Sequence, residues 1–322
     1  MIVEGRGLYM ERAIITGATS IIGIALIKKL LQEGKEVCAV IRPDSARKKD
    51  VQNLRPTALI EAELDELDRL ELPANSFDVL FHIGWSSDFP EPRFNLQGQL
   101  QNVVYGEKAL HLAHRCGCDT FLSIGSQAEC GRVEGCITPD TPSRPENAYA
   151  IAKTVAAAKL QSSCEELGIR FCWPRLLSSY GPYDRPHTLI MQCIRAALTG
   201  RTIALTPGGQ IWDYVYADDV ALALSCIAER GKHGKKYPIG SGHAQSLRSY
   251  IEKIAEAAGN DCILNGLGQR PYAENQVMNL LADLSETTQD TGFRCRTDFG
   301  AGIRETVEYM KGVLCRSGES YQ

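Results

Sequence analysis

From Glu11 onward, short apolar runs alternate with longer stretches in which apolar positions recur at helical spacing. The runs Arg12–Thr16, Glu36–Ile41, Leu59–Leu64, Phe77–Ile83, Thr120–Ile124 and Ile169–Pro174 predict buried strands, the fourth entered by a turn at Asn75-Ser76. Between them, Ile21–Glu33, Gln97–Cys116 and the Ala-rich Tyr149–Leu167 predict helices, with Gly34 and Gly168 as stop signals. Such alternation predicts an α/β, doubly wound parallel sheet covered by helices on both faces. After Tyr180 the texture changes. A loop over Gly181–Pro186 leads to a helix at 188–199, a short strand near Ile203 and a turn at Pro207-Gly208-Gly209. Val220–Glu229 reads as helix, Lys236–Ile239 as extended, and 243–322 as mixed helices and loops. The expected organisation is a sheet domain of residues 11–180 and 212–242, and a smaller, discontinuous lobe of 181–211 and 243–322 that adds a substrate cleft.

Composition narrows the function. The balance of 35 Lys and Arg against 39 Asp and Glu excludes a polybasic grip on nucleic acid. No apolar stretch approaches the roughly 20 residues that cross a bilayer, and Met1–Met10 lacks the apolar core of a signal peptide. A cytoplasmic protein is expected. Twelve cysteines are scattered, mostly through apolar runs, with Cys116-Gly-Cys118 as the one close pair. That spacing suits neither a disulfide scaffold nor a metal knuckle, so thiols without a metal role are expected.

Thr16-Gly17-Ala18-Thr19-Ser20-Ile21-Ile22-Gly23 falls where the first strand turns into the first helix. A helix N-terminus offers unpaired N–H groups and partial positive charge to a pyrophosphate, and glycine permits close backbone approach. A strand-to-helix turn without a ligand is the alternative. The second strand ends Val40-Ile41-Arg42-Pro43, followed by Lys48 and Lys49. An NAD-selective site would carry an acid there; Arg42 instead matches a 2′-phosphate, which favours NADP(H) and leaves NAD(H) as the second choice. A solvated basic loop is the competing reading.

Tyr149 and Lys153 are spaced i, i+4 at a helix start, one turn apart on one face. A free tyrosine titrates near pH ~10, and a neighbouring cation favours its phenolate. Ser126 lies 23 residues upstream at a strand end, where its hydroxyl can bond a substrate carbonyl while Tyr149 protonates it.

With these residues the chain resembles the extended short-chain dehydrogenase/reductases of the nucleotide-sugar epimerase/dehydratase/reductase type. The resemblance runs over roughly 12–311. It rests on the loop from Thr16 to Gly23, Phe81-His82-Ile83 after Asp78, Asn102-Val103, Ser126 to Gly131, and Tyr149 with Lys153. Pro174 to Pro182, Gly208-Gly209-Gln210 and Asp213 to Val220 complete it. It implies a Rossmann-type sheet domain, with Tyr149 as general acid/base, Lys153 lowering its pKa and holding the nicotinamide ribose, and Ser126 orienting the carbonyl. It also implies a pyrophosphate loop of Gly17, Thr19, Ser20, Ile22 and Gly23, with His82 and Asn102 as structural residues near the cofactor and Asp65 beside the adenine. The Ala-rich helix, with Ala152, Ala156, Ala157 and Ala158, corresponds to one that joins a four-helix interface in the family, which implies a homodimer.

Four departures shape the expectation. Ser20 replaces the middle glycine of the loop. Gln127-Ala128 stand where the 4,6-dehydratases carry Asp-Glu, with Glu129 displaced by one position, which argues against dehydration. Trp212 replaces an arginine that meets the substrate diphosphate, and Ser178 replaces an asparagine. Gln127, Ser178, Trp212, Arg185 and Arg270 are the candidate substrate contacts; Trp212 either stacks on a base or packs between lobes, and the two arginines either meet the diphosphate or solvate a surface. His187 is a further exposed candidate. The expected activity is NADP(H)-dependent reduction of a keto group on a nucleoside-diphosphate sugar, a 4-keto-6-deoxyhexose. The alternatives are an NAD-dependent 4-epimerase and a non-catalytic NADP-sensing protein.

Overall fold

The computed structural model describes residues 9–73, 76–87, 91 and 93–318. Of the sequence expectations, those on residues 1–8 and on Asn75 lie outside the described residues. The elements run β1 (Arg12–Thr16), α1 (Ile21–Gln32), β2 (Glu36–Ile41), α2 (Lys48–Leu54), β3 (Ala58–Glu61), β4 (Val79–His82) and α3 (Leu96–Arg115). They continue with β5 (Thr120–Ser123), β6 (Gly125–Ser126), α4 (Ala148–Leu167), β7 (Arg170–Leu176), β8 (Ser178–Tyr180) and α5 (Leu189–Leu198). The last are β9 (Ile211–Trp212), β10 (Tyr214–Tyr216), α6 (Ala217–Arg230), β11 (Lys236–Ile239), β12 (Gln245–Ser246), α7 (Leu247–Ala258), β13 (Asn279–Leu280), α8 (Ser285–Thr291) and α9 (Phe299–Ser317).

The main sheet has the order β3-β2-β1-β4-β5-β7-β11, every pairing parallel, with β6 alongside β7. Alternation along the strands sends side chains to two faces. Ala13, Ile15, Val37, Ala39, Val79 and Phe81 join Ile27, Val220 and Leu224 on one face. Ile14, Cys38, Val40, Leu80 and Phe121 join Leu110, Ala156 and Leu160 on the other. Each such Val, Leu, Ile or Phe side chain, taken wholly out of water, contributes roughly 1.5–3 kcal/mol before entropy is counted. A third cluster, with Tyr180, Ile194, Tyr250, Ile254, Phe299 and Leu314, assembles α5, α7 and α9 away from the sheet. Two small sheets, β8 with β10 and β12-β9-β13, lie among these elements.

Chain order reverses between β1 and β4, since β2 and β3 extend one way from β1 and β4, β5 and β7 the other. That switch point opens a crevice beyond the C-terminal ends of the strands. Thr16 and His82 are register partners at its floor. Just beyond them a Cβ on Gly17 would lie 2.5 Å from the Gly84 nitrogen, and Gly17 has φ +69°. Only glycine fits both demands.

Three local expectations change. Lys48 and Lys49 belong to α2, a helix whose short seven-residue span and single buried residue, Val51, leave no periodic signal. The strand expected near Ile203 is absent, and Leu205 instead makes an isolated bridge to Leu267. The strand expected over Leu59–Leu64 ends at Glu61, because Glu63 to Glu66 turn back on themselves through a bond from the Glu63 amide to the Glu66 carboxylate (3.0 Å).

Candidate active site

Asn147 caps α4 by accepting from the Ala150 amide (3.0 Å), which sets Tyr149 in the first turn and Lys153 one turn on. The Lys153 ammonium is 4% exposed, donates to the Ile124 carbonyl (2.6 Å) and lies 3.5 Å from the centre of the Trp85 ring. Burial pulls its pKa down to about 7, against the opposing charge of Glu129. The Tyr149 ring meets Trp85 edge-on, at 5.9 Å and 82°. Its phenol is pushed above the ordinary value by burial, while a hydrogen bond with Ser126 and the charges of Arg93 and Arg185 act the other way. The neighbouring ammonium, 5.8 Å from the ring centre, therefore does not by itself bring the phenol toward neutrality, as the spacing alone suggested.

Ser126, Tyr149 and Lys153 thus meet at the end of β6 and the start of α4. Ser126 is held by Glu129, whose carboxylate accepts from the Ser126 amide (2.7 Å) while the Ser126 hydroxyl accepts from the Ala128 amide (3.2 Å). Glu129 itself is fully buried. It accepts from the Trp173 indole (3.0 Å) and from Arg175 (3.2 Å), and Arg175 also donates to the Thr141 carbonyl and Ser143 hydroxyl. Its oxygens are committed to holding the β6 turn.

At the pyrophosphate loop, Ser20 caps α1 by accepting from the Gly23 amide (3.0 Å). Its hydroxyl proton and the first-turn amides of α1 remain suited to an anion, so the loop fits a dinucleotide despite the missing glycine. A Cβ on Gly23 would lie 2.6 Å from the Gly17 carbonyl oxygen, so the loop as folded has no room for a side chain there. Thr19 offers its carbonyl to Arg47 (3.5 Å), and Arg47 also reaches the Asp184 carbonyl (3.3 Å), joining this loop to 181–188. Ile22 is buried in the core beneath the loop. His82 is buried with Nδ1 against the Thr16 hydroxyl (2.8 Å), and burial with the Lys153 charge lowers its pKa to about 3, so it stays neutral. Asn102 clasps Ser86, accepting from its amide (2.6 Å) and donating to its carbonyl (3.0 Å).

Arg42 follows β2, 46% exposed beside Asp44. Lys48 is paired with Glu61 (2.5 Å) and so is not a free phosphate ligand. Asp65 is exposed, and its carbonyl accepts from Lys108 (2.7 Å).

Among the candidate substrate contacts, Trp212 donates to the Ser178 hydroxyl (2.8 Å) and packs between the third core cluster and one containing Leu177 and Leu280. Of the two readings of Trp212, the packing one matches this position. Gln127 is half-buried next to Ser126. Arg185 and His187 are exposed on the 181–188 loop, and Arg270 is exposed on the far loop after the bridge at Leu267. Arg185 acts on Tyr149; Arg270 is not brought to it.

Sequence reasoning missed Trp85, Gln99, Arg93 and the Glu129–Arg175 pair. Gly84-Trp85, directly after the strand carrying His82, is the signal that was there to be read: an aromatic at the mouth of a switch-point crevice. Glu129 and Arg175 are 46 positions apart in sequence, and spacing carries no trace of their pairing. All twelve cysteines are free, and burial raises the thiols of Cys38, Cys118, Cys164 and Cys172. Among the described residues no group of three or more His, Cys, Asp or Glu could hold a metal, and no helix is long and apolar enough to cross a membrane.

A family model described as the NAD dependent epimerase/dehydratase family matches residues 13–240. The low-salt glycan biosynthesis protein Agl12 of Haloferax volcanii is 25% identical over 313 residues, 93% of this chain and 98% of that one. The dTDP-glucose 4,6-dehydratase of Streptomyces griseus is 24% identical over 238 residues, 72% of this chain and 71% of that one. Among solved structures, UDP-glucose 4-epimerase of Thermotoga maritima with UDP-glucose superposes with TM-score 0.81 at 22% identity, covering 94% of this chain and 99% of the other. DesIV, a dTDP-glucose 4,6-dehydratase of Streptomyces venezuelae with NAD bound, gives TM-score 0.82 at 19% identity, with coverage of 95% and 98%. At these identities the structural likeness establishes the parallel, Rossmann-like fold.

Proposed function

This chain belongs to the NAD dependent epimerase/dehydratase family, as an extended short-chain dehydrogenase/reductase, and from that premise we propose that it reduces a keto group on a nucleoside-diphosphate sugar, a 4-keto-6-deoxyhexose, using NADP(H). The observation that carries the reading is the convergence of Ser126, Tyr149 and Lys153 at the switch-point crevice. The dinucleotide, when bound, supplies hydride to the carbonyl carbon. Ser126 donates to the carbonyl oxygen, and Tyr149 delivers the proton that the reduced oxygen requires. Lys153 has three donors; Ile124 takes one and the Trp85 face receives another, leaving one for a ribose hydroxyl. A cation beside Tyr149 stabilises the phenolate left after proton transfer. We assign the sugar nucleotide to the part of the chain assembled around α5, α7 and α9, whose core is separate from the sheet's.

Two features support reduction over dehydration. Gln127 and Ala128 offer no acid and no base for expelling a hydroxyl, and Glu129 is spent on Arg175, Trp173 and the Ser126 amide. Arg42 at the end of β2 supports NADP(H). A second reading, an NAD-dependent 4-epimerase, is favoured by the pairing of Lys48 with Glu61, which leaves Arg42 with less help at a 2′-phosphate. Denaturing the purified protein and identifying any released nucleotide separates them. Tightly held NAD⁺ would point to the epimerase. Nucleotide-free protein that consumes NADPH with a dTDP- or CDP-4-keto-6-deoxy sugar would support the reductase.

We also take the chain to pair with a second copy through α3 and α4. Leu96, Val104 and Val155 are exposed apolar residues on those helices, and Gly106 allows Leu160 to pack closely between them. A monomer by light scattering at micromolar concentration would contradict this.

A further inference from the structure

Trp85 stands at the mouth of the crevice, three residues past the end of β4, and touches both ionisable members of the reactive group. Its ring face lies 3.5 Å from the Lys153 ammonium, and its ring meets Tyr149 edge-on. The ring is itself held. Its indole N–H donates to the Gln99 side-chain oxygen (2.8 Å), and Gln99 is 1% exposed. The next residue, Ser86, is bonded at both its amide and its carbonyl by the buried side chain of Asn102. Two amides of α3 therefore fix the loop, and the loop fixes the indole against Lys153. Swinging the ring away would break the Gln99 bond and expose a buried amide oxygen.

We propose that Trp85 is a positioning residue for the cofactor end of the site: it fixes the Lys153 ammonium beside Tyr149 before any dinucleotide arrives, so that dinucleotide binding through Lys153 depends on the indole. The proposal rests on the reading that the crevice takes a nicotinamide dinucleotide. A free lysine has several rotatable bonds to freeze, and each ordered long side chain costs affinity. A cation–π contact in a desolvated setting offsets that cost by roughly tenfold in a binding constant. Ile124 alone supplies one hydrogen bond and no second point of restraint.

The test has a spectroscopic arm and a binding arm. First, tryptophan emission is recorded without ligand for the wild type, W85F, K153M and W85F/K153M. The emission assigned to Trp85, wild type minus W85F, should differ from the same difference taken in the K153M background, because a charge beside an indole alters its emission. Identical difference spectra would overturn the contact. Second, calorimetry measures NADPH and NADP⁺ binding to the wild type, W85A, W85F, K153M and W85A/K153M. We expect W85A to weaken binding about tenfold and W85F, which keeps a ring face, to stay within about threefold of wild type. In the K153M background W85A should change binding less than about twofold. An equal loss in both backgrounds, or no loss at all, would overturn the inference while leaving the dinucleotide reading intact. A wild-type protein that binds neither NADP(H) nor NAD(H) would overturn both. Should W85A fail to fold, W85F and the emission arm still decide.

Discussion

At one end of the crevice Lys153 is almost wholly buried and fixed by a carbonyl and an aromatic face, with Tyr149 and Ser126 beside it. At the other end Arg42 stands nearly half exposed on a loop, and the lysine following it is turned to Glu61. Both ends serve one proposed ligand, yet the first is almost wholly buried and the second nearly half exposed. The chemistry of reduction requires positions accurate to fractions of an ångström, and selection among dinucleotides requires only a charge in reach. The difference predicts that damage at the buried end is severe and specific to turnover or folding, while damage at the exposed end shifts preference.

The largest effect should come from Tyr149→Phe, which removes the proton donor without changing shape. NADPH consumption should fall about 10³-fold with stability unchanged. Near-normal turnover in this variant would remove the reactive end from the comparison.

Arg175→Ala should be nearly as costly, in stability. It leaves the Glu129 carboxylate buried without its ion-pair partner, and such losses run to about 3–5 kcal/mol. Urea unfolding measures this, and an unchanged midpoint would show that the β6 turn does not depend on the pair.

Arg42→Ala should weaken NADPH about tenfold or more and leave NADH within about twofold, by calorimetry. Equal weakening of both would show that the guanidinium does not serve a 2′-phosphate.

The remaining effect concerns pH and is read as a slope. Lys153 has its pKa lowered to about 7 by burial, well below the unfolded value, so between these values the unfolded chain binds the extra proton. Stability from this group therefore rises as pH climbs above about 7, with a slope of at most about 1.4 kcal/mol per pH unit. Unfolding of wild type and Lys153→Met across pH 7–10 should show the difference moving in favour of wild type. A flat difference would mean that Lys153 is hydrated in the fold.

The same contrast explains what could be read from the chain. Strands β1, β2, β4, β5, β7 and β11 and helices α1 and α4 were legible because apolar runs and the stop signals Gly34 and Gly168 mark them locally, whereas the two- and three-residue strands β6, β8, β9, β10, β12 and β13 are too short to leave a pattern. Tyr149 and Lys153 were legible because one helical turn joins them. The α2 helix was not, having one buried residue and no side-chain cap. The Trp212–Ser178 bond and the Glu129–Arg175 pair join residues 34 and 46 positions apart, and such contacts exist only once the sheet has brought the segments together. Trp85 was overlooked because its meaning comes from Lys153, which reaches that loop from α4.

We propose that these side chains direct a hydride from a dinucleotide onto a sugar carbonyl. Incubating the protein with NADPH deuterated at the transferring position and a dTDP-4-keto-6-deoxy sugar, then weighing the sugar product, tests it most directly. One deuterium per sugar is expected, at the former carbonyl carbon, matched by one NADP⁺ formed. A sugar that emerges without deuterium, or that changes configuration with no NADPH consumed, would contradict it.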